Sequence, residues 1–434
     1  MLIYIPKITN RIKYIFHLIF NNLLKIDYDL TEDLVLVFFK DYKGPKLNYS
    51  KKQLDGEYFI KAYGLLTEKG ISNQEIIFDY WNKLPIFFNV KDSVIPFDIF
   101  SASFYLVSRY EEYLPHIKDK YDRFDAKESI AYKNNFLHRP LINLWVVEFK
   151  NILKMKFSSL EFPQNKFSYK STIDVDNAYY FLEKGFVRTV ASFVRSAFNL
   201  DKYAIEEQKN ILLGKSADPY DTFEEQLRIN QKYNVDVVYF VLLADYGIND
   251  KNCSVNSRKF QLLIKHLADH AEIGIHPSYA SNESFNILEI EKNRLENIIK
   301  KEVKLSRQHF LKLDIPKTYR NLLELSITDD YTMGYASHLG FRASICTPFY
   351  FYDLELESST IMKVHPFSVM DATLKYYLNL QPEEALENIH KIVDEIKNVN
   401  GHFISLWHNE TWSNYKDWSG WSYLYEQMLK YINK

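Results

Sequence analysis

Glycine is scarce in this chain. Only 12 occur among 434 residues, where average usage near 7% would give roughly 30. None lies between Gly70 and Gly185. The shortage excludes flexible Gly-rich linkers and collagen-like repeats. Cysteine is scarcer still. Cys253 and Cys346 are the two present, too few for a disulfide framework or a thiolate metal site. Net charge is nearly absent, with 54 Lys and Arg against 56 Asp and Glu. That balance argues against a protein devoted to nucleic acid, which carries a basic excess or stripe. No apolar run approaches the ~18 to 20 residues of a membrane span. The longest, Val237 to Ala244, is strand-sized. The N-terminal segment lacks the cleavage site and long apolar stretch of a signal peptide. From these absences the expected location is cytoplasmic.

Aromatics are abundant, with 33 Tyr, 31 Phe and 6 Trp, so a large core is expected. Ile12, Ile15, Phe16, Ile19, Phe20, Leu23 and Leu24 recur at helical spacing and predict an amphipathic helix packed on the body, with a membrane-surface helix as the alternative. Residues 1–165 are dense in aromatics and charges and show no catalytic constellation. They read as a smaller α+β N-terminal domain. Arg109, Glu111 and Glu112 within it read as a structural ion-pair group.

Residues 166–434 alternate between strand and helix patterns. Ser168–Val175, Val235–Leu243, Glu272–Ile275, Phe341–Thr347 and His402–Trp407 read as strands. Tyr220–Tyr233, Arg258–His270, Ile287–Val303, Lys317–Ser326, Glu384–Val399 and Tyr423–Ile432 read as helices. This order predicts βα units around a parallel sheet or barrel. Chemistry in such folds gathers at the C-terminal ends of the strands.

The polar oddities fall at those ends. The first strand finishes in Asp174 and Asp176, two apart and so on one side. Two carboxylates crowded together repel unless a cation or proton intervenes. His276 ends Glu272–Ile275, Arg307 and His309 follow another strand end, and His408 closes the last one. Singly, each also fits a helix cap or a hydrogen-bonded structural His. Together, two His and one Asp form a common ligand set for a divalent ion such as zinc. A spare carboxylate can then serve as general base and a spare His as general acid. His266 and His270, four apart on a helix, read as packing or surface. His338, His365 and His390 read as structural.

With these residues in place, the region from about 168 to 434 resembles the NodB-homology polysaccharide deacetylases, carbohydrate esterase family four. Thr172-Ile-Asp-Val-Asp176 resembles the family's opening Thr-Phe-Asp-Asp. Glu272-Ile-Gly-Ile-His276-Pro-Ser resembles its second motif, which normally carries two His four apart. Here the fourth position after His276 is Ala280. Arg307 resembles the Arg of the third motif, Gly340-Phe-Arg-Ala-Ser344 the fourth motif, and Leu406-Trp-His408 the fifth. The resemblance implies a distorted (β/α)7 barrel. It implies Asp174 as base, Asp176 and His276 as metal ligands, Arg307 as the residue orienting the base, and His408 as acid. His309 is our candidate for the missing ligand.

The implied activity is metal-dependent removal of N-acetyl groups from an amino sugar or glycan, releasing acetate. A backbone N–H near Phe310 would stabilise the oxyanion. Tyr279, Trp407 and Trp412 are candidate sugar-stacking residues, although in so aromatic a chain they also fit packing. Two other readings stay open. One is a non-catalytic carbohydrate-binding or scaffold protein, suggested by Ala280. The other is a different metal hydrolase, or a glycosidase, on the same barrel. No nucleic acid partner and no transmembrane segment are expected.

Overall fold

The computed structural model describes residues 1–35, 42–54, 58–185, 189–190, 198 and 202–433. Two sheets organise it, joined through residues 157–167, which have no regular structure beyond a turn. The first is parallel, formed by Leu2–Tyr4 (β1), Asp29–Thr31 (β2), Lys46–Ser50 (β3) and Tyr58–Lys61 (β4), in the order β2-β1-β3-β4. Between β1 and β2 lies the N-terminal helix Asn10–Phe16, whose first turn is capped by Thr9 accepting the Ile12 N–H. It continues into a π-helical stretch, His17–Leu24. Its apolar face lies inside the protein: Ile12, Ile15, Phe16, Ile19 and Phe20 are fully buried. The Phe16 and Phe100 rings stack with centroids 4.1 Å apart. A small antiparallel pair, Asp79–Trp81 (β5) with Leu84–Ile86 (β6), follows.

The second sheet has nine strands: Ser168–Val175 (β7), Asp236–Val241 (β8), Glu272–Ile275 (β9), Leu305–Ser306 (β10), Asp329–Asp330 (β11), Phe349–Asp353 (β12), Ser358–Val364 (β13), Val369–Met370 (β14) and His402–His408 (β15). Their order is β12-β13-β11-β10-β9-β8-β7-β15-β14. All pairs are parallel except the β12–β13 hairpin. Helices Phe223–Tyr233, Arg258–His270, Phe285–Ile299, Lys317–Glu324 and Pro382–Asn398 fall between strands, as expected of parallel βα connections. The sheet curls. β13 pairs with β11 near one edge, and residues 365–368 carry the chain to β14 at the other. Across that gap Phe367 N–H reaches Met333 O at 3.1 Å and Ser368 N–H reaches Ile404 O at 3.1 Å. Val238, Phe240, Tyr331, Phe367, Met370, Ile404 and Leu406 pack into one cluster inside the curl. This is a mixed α/β fold with a curled sheet whose strand ends open to one side.

One expected strand is not there. Phe341–Thr347 is a run of turns and irregular backbone. Its apolar residues are buried not by a β-ladder but against helix Leu141–Lys156. Ile142 N–H donates to Ser344 O, and the Asn143 amide bonds both Cys346 N–H and Thr347 Oγ1. A short apolar run cannot by itself say which partner satisfies its backbone. The two-residue strands β11 and β14 are too short to carry a readable period.

The two sheets share one continuous core that runs from Ile3 to Ile432. A buried ionic cluster ties them. Arg342 grips Glu112 with both guanidinium arms at 2.9 and 2.6 Å. Arg109 bonds Glu112, Glu111 and the Arg342 carbonyl. The group is structural, as its sequence suggested.

Candidate active site

Parallel strands end side by side, so side chains at their C-terminal ends converge. In the β15–β7 ladder His408 lies directly opposite Asp174. β9 sits tightly between β8 and β10 because residue 274 is glycine: a Cβ there would collide with the Phe240 ring and the Leu305 carbonyl. Asp174, Asp176, His276, His309 and His408 all line one cavity of about 500 Å³.

Asp176, His276 and His309 have ligand atoms within 4.8 Å of one another, the one such group found among the described residues. His276 Nε2 is 3.2 Å from Asp176 Oδ1, and His309 Nε2 is 3.5 Å from Asp176 Oδ2. Both rings turn Nε2 inward because Nδ1 is engaged behind. His276 Nδ1–H donates to Arg307 O at 2.5 Å, and His309 Nδ1–H to Asp250 Oδ1 at 2.8 Å. Outer partners of this kind fix the tautomer of metal-binding histidines. Asp176 Oδ1 is buried without a hydrogen-bond donor, an arrangement that a cation would satisfy. The donor set of two imidazoles and one carboxylate fits zinc with coordination positions left open. Burial raises the Asp176 pKa, but His309 and His276 outweigh it and hold it well below the usual range. Burial lowers that of His309, yet Asp176 and Asp250 lift it to about 9.

Asp174 lies beside this group, with Oδ2 3.6 Å from His276 Nε2. Its Oδ1 accepts from Arg307 Nη1 at 3.1 Å. Arg307 is fully buried and is itself held by Thr172 Oγ1 at 2.6 Å and Tyr331 O at 3.0 Å. His408 donates Nδ1–H to Asp371 Oδ1 at 2.7 Å, and its backbone N–H reaches Asp371 Oδ2 at 2.7 Å. Its Nε2 faces Asp176 Oδ2 at 3.9 Å. Burial lowers the His408 pKa, but Asp371 outweighs it and raises it to about 10.

Three expected substrate-contacting aromatics do not line the cavity. Trp407 is fully buried, with Nε1–H on Ser405 Oγ at 2.8 Å, and packs with Trp412 on Tyr425. Outward alternation along β15 puts Trp407 on the face opposite Leu406. Tyr279 lies behind the Phe310 ring. Trp418, Tyr376 and Tyr377 line the cavity instead. His266 pairs with Glu224 at 2.8 Å, His365 with Asp329 at 2.8 Å, and His390 stacks on Tyr431.

Sequence reasoning missed Asp250, Asp371 and Glu410. Asp250 sits in a loop after β8 and has no motif around it. It accepts from Tyr279 N–H and Ala280 N–H as well as from His309. The Tyr279–Ala280 backbone is thus tied to the residue that orients His309. Asp371 directly follows β14, a strand end too short to recognise. Glu410 lines the cavity two residues after His408, and burial lifts its pKa to about 7.

Glu291, buried behind the His276 loop, accepts the Ser278 N–H at 2.9 Å, while its other oxygen lacks a partner. Burial raises its pKa from 4.5 to about 7. The folded protein therefore holds a proton that the unfolded chain releases above 4.5. The contribution is full below that pH and is lost as pH rises towards 7. Glu291→Gln is expected to match the wild type at pH 4 and to exceed it at pH 8 by about 3 kcal/mol, read from urea unfolding at both pH values.

Residues 1–158 match a family described as of unknown function, DUF7033. No curated protein matches the chain in sequence. Among solved structures, the chain is similar to a Mycobacterium smegmatis protein described as a polysaccharide deacetylase, with 14% identity and a TM-score of 0.41 over 63% of this chain and 86% of that one. It is also similar to a polysaccharide deacetylase of Bacillus cereus, with 12% identity and a TM-score of 0.31 over 62% and 88%. A CE4-family pseudoenzyme of Bacillus anthracis is similar at 11% identity, with a TM-score of 0.32 over 62% and 61%.

Proposed function

We propose that the protein is a metal-dependent hydrolase that removes N-acetyl groups from an amino sugar or glycan, breaking a non-peptide carbon–nitrogen bond. In this reading residues 166–434 form a distorted (β/α)7 barrel, and residues 1–165 a smaller α+β unit packed on it. The observation that carries the reading is the Asp176 carboxylate set 3.2 Å from His276 Nε2 and 3.5 Å from His309 Nε2, two imidazoles whose Nδ1 atoms are both committed elsewhere. The order of the motifs from Asp174 to His408 supports it independently.

Asp176, His276 and His309 would hold the ion, most simply zinc. Once bound, such an ion supplies an acidic water and a polarised carbonyl. Asp174 takes the proton of the attacking water, and Arg307 orients its carboxylate. The Phe310 N–H, which donates to no acceptor among the described residues, offers a hydrogen bond to the acetyl oxygen as charge develops there. His408 gives the Nε2 proton to the departing amine, and Asp371 keeps its ring aligned. The products are acetate and a free amino sugar.

The test is acetate release from N-acetylglucosamine oligomers with zinc present. Asp174→Asn is expected to lower turnover by at least a hundredfold, the lower end of what a general base contributes, while one zinc per chain is retained. Turnover by Asp174→Asn equal to that of the wild type would remove Asp174 from the chemistry. Binding of the oligomers without any acetate release would favour the non-catalytic reading instead.

A further inference from the structure

The N-terminal region reaches into the cavity that the strand ends form. Lys120, Tyr121 and Arg123 line it beside His309 and Phe310. We infer that Arg123 is a positioning residue of the active site, holding the turn His309–Leu311 in place from the N-terminal region. This rests on the hydrolase reading above and assigns part of the N-terminal region a role in it.

The turn needs an external hold. Phe310 and Leu311 both adopt the left-handed conformation, with φ of 58° and 56°. A non-glycine residue so placed is strained unless its surroundings enforce the conformation. Arg123 Nη1 donates to the Phe310 carbonyl at 2.7 Å. A charged donor makes this stronger than an ordinary amide bond. Arg123 is itself fixed: it is buried, its guanidinium pairs with Asp119 at 2.6 Å, and Nη2 reaches Tyr377 Oη at 3.3 Å. Neighbours brace the same turn. The Tyr121 and Phe310 rings lie with centroids 4.9 Å apart, Tyr279 Oη donates to Tyr121 O at 3.3 Å, and Lys312 pairs with Asp122 at 3.5 Å. The turn carries both His309 Nε2 and the Phe310 N–H. A grip on the Phe310 carbonyl therefore sets a candidate ligand and a candidate oxyanion donor together.

The experiment uses the full chain with Arg123→Met and Arg123→Lys, and cobalt(II) as a probe of the Asp176, His276 and His309 group. Arg123→Met is expected to bind cobalt about tenfold more weakly, the lower end of the effect of a lost outer-shell partner. At saturating zinc its kcat on N-acetylglucosamine oligomers falls ten- to a hundredfold with KM changed less than threefold, as displacement near 1 Å can cost ~100-fold. Arg123→Lys recovers part of both. Asp119→Asn, which frees the guanidinium without adding bulk, gives a smaller change in the same direction and replaces Arg123→Met if that variant does not fold. A purely structural role lowers the melting temperature while cobalt affinity stays within twofold of the wild type, and that result overturns the inference. Should the wild type release no acetate at all, the hydrolase reading fails by itself, and the cobalt titration still decides the clamp.

Discussion

Asp176→Asn and His276→Ala are each expected to abolish binding of one divalent ion per chain and to lower acetate release about a thousandfold, equivalent to ~4 kcal/mol at 1.36 kcal/mol per tenfold. Both residues belong to the group whose ligand atoms lie within 4.8 Å of one another. The Asp176 carboxylate reaches both imidazoles, at 3.2 and 3.5 Å. His276 is 2% exposed and is fixed from behind by Arg307 O. Elemental analysis of the purified variants gives the first readout and acetate assay the second. His309→Ala separates the competing readings. If His309 stands in for the histidine absent at Ala280, its loss empties the site as completely as that of His276. Asp250→Asn weakens affinity by about 10- to 100-fold without emptying it, because it alters only the partner of His309. One ion per chain retained in all four variants would refute the assigned ligand set.

The second large effect concerns stability. Glu112→Ala is expected to destabilise the protein by about 3 to 5 kcal/mol, as removal of one partner from a buried pair does. Glu112 is 7% exposed and faces two buried guanidiniums, Arg342 at 2.6 Å and Arg109 at 2.8 Å. Truncation leaves both with less compensation in the shared core. The pH dependence has a definite sign. Burial raises the Glu112 pKa, but Arg342 and Arg109 outweigh it and lower it from 4.5 to about 2. Its contribution is therefore present above pH 4.5 and is lost as pH falls towards 2. The span corresponds to about 3 kcal/mol. Urea unfolding of wild type and variant between pH 7 and pH 3 should show the gap narrowing with acidity. A constant gap would mean that Glu112 acts through packing alone.

The strand Ser168–Val175, the helix Arg258–His270 and the strand Glu272–Ile275 can be read from the residues alone, with the same bounds the structure gives. Of these, the helix is the one whose apolar period, with Phe260, Ile264 and Leu267 buried, runs over enough residues to be unambiguous. Asp174, Asp176, His276, His309 and His408 could be grouped from sequence for a related reason. Parallel strands align their C-terminal ends, so residues at those ends meet however far apart they lie in the chain. Side-chain chemistry suggests a metal set with a spare base and acid, but which residue takes which role is only what the resemblance to the deacetylase motifs implies.

What the sequence did not contain is anything decided by which surfaces meet. Phe341–Thr347 has the composition of a strand, yet its backbone partners belong to helix Leu141–Lys156. Trp407 and Trp412 lie near a strand end but face the core, since alternation along β15 turns Leu406, not Trp407, into the cavity. Asp250 and Asp371 became visible only once the loops carrying them folded back against His309 and His408. The glycine shortage divides the same way. From sequence it marks residues 168–434 as the half in which the rare glycines lie near the candidate site, and Gly274 does have a packing reason to be there. The glycine-free stretch from 71 to 184 nevertheless includes Arg123, which reaches the site through the tertiary fold. The order of chemical groups along the chain is a property of the sequence. Their joint geometry, and the N-terminal side of the cavity, arise only when two separately patterned sheets share one core.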